Sequence, residues 1–228
     1  MRKQVAIIGI GRFGASLAES LSAIGYDVLA IDSNMERVQN IADKVSHAVQ
    51  GDVRDENFLK GLDISSMNAA VVAIGNSIES SVLCTLLLKN LGVPYVIARA
   101  ENPSHHIILN KIGADQIVYP EKQMGNRWAH IITLRTATDY IPLSYKYGIT
   151  QITAPASMIN STIGQAGFGK GDIKDAVNVL MILRKSQGQE TVINNPSEAE
   201  IIKLGDILVT AGPDDKLEDV INASKKSA

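Results

Sequence analysis

Gly9-Ile10-Gly11-Arg12-Phe13-Gly14 carries three glycines at the spacing of a phosphate-binding turn. It follows an apolar run, Val5 to Ile8, and opens a helical pattern, Ala15 to Ser22. A second apolar run, Val28 to Ile31, ends on Asp32. A glycine triplet alone is weak, because it arises often by chance. Strand, glycine turn, helix, strand and terminal acid in this order describe a dinucleotide-binding βαβ unit.

The chemistry needs each residue type. Gly9 allows a tight turn off the strand, Gly11 lets backbone N–H groups approach a diphosphate, and Gly14 lets the helix close on the sheet. The helix N-terminus offers free N–H donors and the positive end of its dipole to phosphates. Asp32, 18 residues after Gly14, is placed to accept hydrogen bonds from ribose hydroxyls. Its charge repels a 2′-phosphate, which disfavours NADP. This half-site does not separate NAD from ATP or ADP, so the expectation is adenine-nucleotide binding.

Strand-like runs recur at residues 46–49, 69–74, 95–98 and 116–118, with helical patterns at 35–43, 55–60, 77–91 and 104–112. Six strands alternating with helices describe a doubly wound parallel sheet. Gly25, Gly92 and Gly113 stand where helix C-caps are wanted. A crossover helix follows, roughly 122–134, with an apolar stripe of Met124, Trp128, Ile131 and Leu134. The stripe packs either on a partner subunit or on its own domain. From about Asp139 the pattern changes to short strands at 140–143, 149–154, 177–183, 190–193 and 207–211, closed by a helix at 214–223. The expected organisation is thus a nucleotide-binding domain over 1–138 and a small α+β lobe over 139–228.

Composition narrows the function. The 228 residues carry a net charge of −2, and a pI near 6.1 argues against a nucleic-acid partner, which usually meets a basic face. The single cysteine, Cys84, excludes an intramolecular disulfide and any multi-cysteine metal site; within an apolar run it reads as a packed small hydrophobe. The first strand begins almost at once, leaving no room for a signal peptide. No apolar run approaches a membrane span. A soluble cytoplasmic protein is expected.

Several residues could serve the cleft. Arg12 puts a cation at a helix N-terminus, against the dipole, a cost removed by a neighbouring phosphate; the alternative is an arginine reaching into solvent. Asp52 ends the third strand and either faces the adenine or ribose side or caps the next helix. Ala73-Ile74-Gly75 ends the fourth strand beside the switch point and should line the phosphate cleft, with Asn76-Ser77 opening the next helix. Arg99 ends the fifth strand on the same edge as a second phosphate candidate. Phe13, Ser33, Val53 and Glu79 complete the candidate nucleotide-binding set. Glu121 is either a first-turn acid or a cation ligand. His105 and His106, adjacent on a helix, splay apart and are expected at the surface; His47 and His130 have no recognisable partners. The stretch Gly164–Gly171 nearly matches a phosphate-binding loop, but Gly171 stands where a hydroxyl residue would hold magnesium. A flexible loop is the better reading.

At Gly9–Gly14, Asp32, Ala73-Ile74-Gly75, Glu79-Ser80-Ser81 and Arg99 the chain resembles the RCK (KTN) regulators of potassium transport. The run from Ile112 to Gly125 is similar to the stretch that closes their nucleotide domain, and the free-standing cytosolic KtrA/TrkA group is the best match. The resemblance is detailed to about residue 145 and looser afterwards, although Glu200–Pro213 is similar to the end of an RCK C-terminal lobe. It implies a Rossmann-like nucleotide domain followed by that lobe. It further implies homo-oligomerisation, with dimers assembling into an octameric ring that binds ATP or ADP, with NAD or NADH as alternatives. Such a ring gates a membrane potassium channel made by a separate polypeptide, at the inner face of the cell membrane. Carried across, Asp32 binds ribose, the glycines bind phosphates, and Arg12 reaches the terminal phosphate of its own or a neighbouring subunit's ATP. Glu121 matches an acid that helps hold a divalent cation, magnesium or calcium, near the phosphates. The lobe departs from the family where Asp-Leu-Arg-x-x-Tyr-Gly would precede its central strand, so the resemblance does not extend to cyclic di-AMP binding.

The leading expectation is a ligand-sensing regulatory subunit. An NAD-dependent oxidoreductase with a small substrate domain is the alternative, and a partner-binding domain with an empty cleft is a third. The second half offers no histidine, cysteine or metal cluster for hydride chemistry, and Asp32 with Arg12 disfavours the third.

Overall fold

Apolar runs that do not alternate belong to strands covered on both faces, and the first half of the chain is built from them. The computed structural model describes residues 3–133, 137–144, 146–169, 176–186 and 189–226. Strands β1 (Gln4–Ile8), β2 (Asp27–Asp32), β3 (His47–Gln50), β4 (Ala69–Val72), β5 (Val96–Arg99) and β6 (Gln116–Val118) form one sheet in the order β3-β2-β1-β4-β5-β6. Every pairing in it is parallel. Ile8 sits in register between Ile31 and Val72.

Helices α1 (Arg12–Ala23) and α2 (Met35–Ile41) cover one face, where Ala18, Val38 and Ile41 pack on Val5, Ile7, Val28, Ala30 and Val71. Helices α3 (Glu56–Gly61), α4 (Ile78–Asn90) and α5 (Pro103–Lys111) cover the other, with Leu59, Cys84, Leu88 and Leu109 against Ala6, Ile8, Leu29 and Ile31. Cys84 is a packed hydrophobe, and burial pushes its thiol pKa up to about 12. The doubly wound sheet read from the sequence is therefore present. Gly25, Gly92 and Gly113 lie at φ of +90°, +86° and +91°, just beyond α1, α4 and α5, as a left-handed helix end requires.

The chain divides into two compact units that meet in sequence between Glu121 and Lys122. Helix α6 (Pro120–Thr133) thus falls almost wholly with the second unit, whereas the sequence pattern groups it with the first. Two contacts on that side account for this: Arg127 Nε is 2.8 Å from Asp139 Oδ1, and His130 Nδ1 is 3.1 Å from Asp214 Oδ2. On α6 no residue is buried; Met124 and Trp128 are exposed and Ile131 is half-buried, while Leu134 lies outside the described residues.

The second unit is an antiparallel sheet of β7 (Ala137–Pro142), β8 (Tyr147–Thr153), β9 (Asn178–Ser186), β10 (Gln189–Asn194) and β11 (Ile207–Pro213), ordered β10-β9-β11-β8-β7. Its core joins Ile152, Val179, Ile182 and Leu208 to Met158, to Phe168 and to Leu217 and Ile221 of α7 (Asp214–Lys226). The expectation of a flexible loop is corrected as far as Gly169: Phe168 is buried, and Gly167 and Gly169 turn the chain at φ of +95° and +75°. Lys170, Gly171 and the departure from the family pattern up to Asp175 lie outside the described residues. Among the described residues no helix is long and apolar enough to cross a membrane.

Among the glycines of the first unit, Gly14 makes the closest approach to backbone. A Cβ there would stand 2.0 Å from the Gly9 carbonyl oxygen, which is backbone and has little room to yield. Gly14→Ala is expected to destabilise the protein by about 1–3 kcal/mol, measured by urea unfolding; a variant as stable as the parent would show that the turn and α1 are not packed this closely.

Candidate functional site

A parallel sheet whose strand order reverses leaves a crevice beyond the carboxyl ends of the strands at the reversal. Here that point lies between β1 and β4, and a cleft of about 530 Å³ opens there. Gly9 leaves β1 at φ +92°, where a side chain would press on the backbone of Ala73 and Ile74 at 3.0–3.2 Å. The glycine thus lets the ends of β1 and β4 close together. Gly11 is the N-cap of α1 and supplies no side-chain cap, and no acid stands in the first turn. A Cβ on Gly11 would meet nothing within 4 Å, so this part of the turn faces open space.

Asp32, at the end of β2, is buried and spans back to the glycine turn. Its Oδ2 accepts the Ile10 N–H at 2.6 Å and its Oδ1 the Asn34 N–H at 2.9 Å. Arg37 Nη1 approaches Oδ2 at 3.4 Å. Across the cleft, Arg99 forms a fork with Glu121: Nη2 is 2.6 Å from Oε1 and Nε is 3.3 Å from Oε2. Arg12 has no ion-pair partner among the described residues. Three guanidinium groups against two carboxylates leave the cleft cationic.

Of the residues named from sequence, Gly9, Gly11, Arg12, Phe13, Asp32, Ser33, Ala73, Ile74, Gly75, Arg99 and Glu121 line this cleft together, as do Asn76, Ser77 and Ser80. Gly14 lies beneath the turn. Three other named residues do not line it either. Asp52 is exposed and paired with Arg54, whose hydrogen bonds hold its carboxyl at about 2. It does not cap α3 either, because Asp55 accepts the Asn57 N–H at 2.8 Å and serves as the cap. Val53 is in the core, and Glu79 stands exposed in the first turn of α4. Sequence reasoning missed Asn34 and Arg37, which also line the cleft. A capping pattern would have found them: Asn34 caps α2 by accepting the N–H of Arg37, three residues on, at 3.1 Å.

The histidines also differ from expectation. His105 is buried, because the first turn of α5 packs inward, and its Nδ1 accepts the Glu101 N–H at 3.3 Å. His106 stacks on Tyr119 with ring centres 5.6 Å apart. His130 does have partners: besides Asp214 it stacks on the buried Tyr140 at 4.2 Å. The Tyr140 hydroxyl donates to Asp214 at 3.0 Å, and burial followed by that carboxylate raises its pKa. Among the described residues no group of three His, Cys, Asp or Glu side chains could hold a metal ion; Glu121 would need phosphate oxygens to complete a divalent site.

Residues 5–120 match the family model of the TrkA-N domain. The chain is 38% identical over 212 residues to the Ktr system potassium uptake protein C of Bacillus subtilis (strain 168), covering 93% of each chain. It is 36% identical over 210 residues to the Ktr system potassium uptake protein A of the same organism, covering 92% of this chain and 91% of that one. Among solved structures, the RCK domain of GsuK superposes with a TM-score of 0.62 at 20% identity over 97% of this chain; the chain spans 48% of that one. This chain belongs to the TrkA-N family, among the relatives of the Ktr potassium uptake proteins.

His105 ties down the loop that follows Arg99 and so bears on the cleft. Burial lowers its pKa from the usual 6.5, with Glu101 raising it and Arg99 lowering it by less. A lowered folded value means that the fold favours the neutral ring. The stability His105 contributes is therefore complete above about pH 6.5 and is lost as the pH falls below it. At pH 7.5, His105→Ala should cost about 2 kcal/mol in urea unfolding, and the gap to the parent should narrow by pH 5.5. A gap that stays constant across this range would show that the ring's neutral form is not what the fold holds.

Proposed function

We propose that this chain is a nucleotide-binding regulatory subunit of a potassium uptake system, in which ATP or ADP in the cleft controls a channel made by a separate membrane polypeptide. The observation that carries this is the unpaired Arg12 at the start of α1, beside an uncapped helix N-terminus in a cationic cleft. A helix that begins with a cation and no acid is stabilised by an anion at its end. Relatives named for potassium uptake support placing the chain in potassium transport, and the reading is of a regulatory binding protein rather than an enzyme.

In this reading the glycine turn and Arg12 take the phosphates, Asp32 and Ser33 take the ribose, and Ala73-Ile74-Gly75 and Arg99 close the phosphate side. Glu121 holds a magnesium or calcium ion against the phosphates. NAD or NADH is the alternative ligand, since both share the adenosine half. The site acts in the cytoplasm, at the inner face of the membrane, by favouring one of two states of a ring for which nucleotides have different affinity.

Calorimetry with ATP, ADP, NAD and NADH tests the reading. ATP or ADP should bind, and Asp32→Asn should weaken binding by about tenfold through loss of a charge-assisted hydrogen bond, with folding checked by melting. Absence of binding by any of the four would reject the function. Self-association is the second expectation. Dimers building toward an octameric ring would cover the exposed stripe of Met124 and Trp128 on α6. Light scattering that finds only the 24.5 kDa monomer would refute it, and Trp128→Glu should shift the parent assembly toward smaller species.

A further inference from the structure

The Arg99–Glu121 pair stands where an anion would enter, and its two halves are held differently. Arg99 is 18% exposed and Glu121 66%. The arginine lies across the turn after β4: a Cβ on Gly75 would stand 1.5 Å from Arg99 Nη1. The guanidinium is therefore set into the wall of the cleft, while the carboxylate reaches it from the solvent side. An ion pair with so exposed a partner contributes little net stability. A phosphate offers the same fork geometry with more charge.

Glu121 also has a particular place in the chain. It stands in the first turn of α6 and is the last residue of the first unit, and the helix carries the chain into the second. The β5–β6 ladder, in which the Ala100 N–H donates to the Val118 carbonyl at 2.9 Å, already brings the start of α6 beside the end of β5, and the Arg99–Glu121 pair is the side-chain link added between them.

We infer that this pair is an exchange switch: phosphates entering the cleft take the Arg99 guanidinium and thereby release Glu121 and the start of α6. The inference rests on the nucleotide reading above and adds the route by which occupancy leaves the cleft. Nucleotide and carboxylate compete for the same donors, so the ligand favours the state in which the pair is open. The released acid remains at a helix N-terminus, where its charge is favourable, and it becomes free to meet a cation. Phosphate binding thus prepares the carboxylate.

The test is a double-mutant cycle on the full chain, in buffer with a chelator so that no divalent ion contributes. Calorimetry with ATP is combined with hydrogen exchange of peptides covering residues 120–133. Glu121→Gln should tighten ATP binding by about two- to fivefold, the worth of one partly exposed ion pair. Arg99→Met should weaken it by about tenfold. ATP should speed exchange along the start of α6 in the parent. In both single variants exchange should already be fast and unchanged by ATP. Tightening by Glu121→Gln that is as large in the Arg99→Met background means that Glu121 acts by bare repulsion, which overturns the exchange. Unchanged or weaker ATP binding in Glu121→Gln overturns it as well. So does an α6 whose exchange ignores both ATP and the two substitutions. These failures leave nucleotide binding intact; a parent protein that binds no nucleotide removes the reading and the switch together.

Discussion

The hydrogen bond from the Ile10 N–H to Asp32 Oδ2, 2.6 Å long and buried, is the contact on which the site depends. It joins the end of β2 to the glycine turn after β1, and the second oxygen holds the Asn34 N–H at the start of α2. One carboxylate thus sets the position of the turn and of the N-termini of the two helices on one face of the sheet. A buried carboxylate is tolerable only when its oxygens are satisfied by donors of this kind. Asp32 has work in the fold before any ribose arrives, so its presence alone says less about ligand than its place in the motif suggests. The unpaired Arg12 says more, because nothing in the described fold requires it.

What could be read from sequence follows from the range of the physics involved. Strands buried on both faces show as apolar runs, and helix ends show as glycines with φ near +90°, so the six-stranded unit was legible nearly element by element. The cleft was legible too, because the ends of β1, β2, β4 and β5 follow from strand order alone. Side-chain choices made by competition between neighbours were not. Asp52 and Asp55 are both plausible caps for α3; Arg54 takes the first and leaves the second for the helix. Arg37 enters the cleft only because Asn34 sets the start of α2 where it does.

Long-range pairs were hidden for a different reason. His130, Tyr140 and Asp214 belong to three elements, α6, β7 and α7, and no local pattern links them. Their cluster, with Arg127 on Asp139, draws α6 to the second unit, whereas periodicity alone could only describe a helix with an apolar stripe. The burial of His105 was missed similarly. Two adjacent histidines on a helix do splay apart, but that argument does not say which of the two turns inward.

The chain's ion pairs divide by burial, and the division bears on what each can do. Arg184 of β9 holds Asp206, which is fully buried, through two bonds of 2.9 and 2.8 Å, and Asp206 also accepts the Lys203 N–H at 2.9 Å. Glu200 adds a third carboxylate contact at 3.2 Å, and the Arg184 pKa is raised, chiefly by the hydrogen bond to Asp206. Removing either partner would strand a buried charge, so such a pair is fixed once the sheet forms. Arg99 is about as buried as Arg184, but its partner Glu121 is largely exposed where Asp206 is fully buried, so the acid leaves at little cost once another anion meets the guanidinium. Geometry alone would class the two pairs together. Solvent distinguishes them, placing the permanent pair inside the second sheet and the exchangeable one at the rim of the cleft, where a charged ligand can reach it.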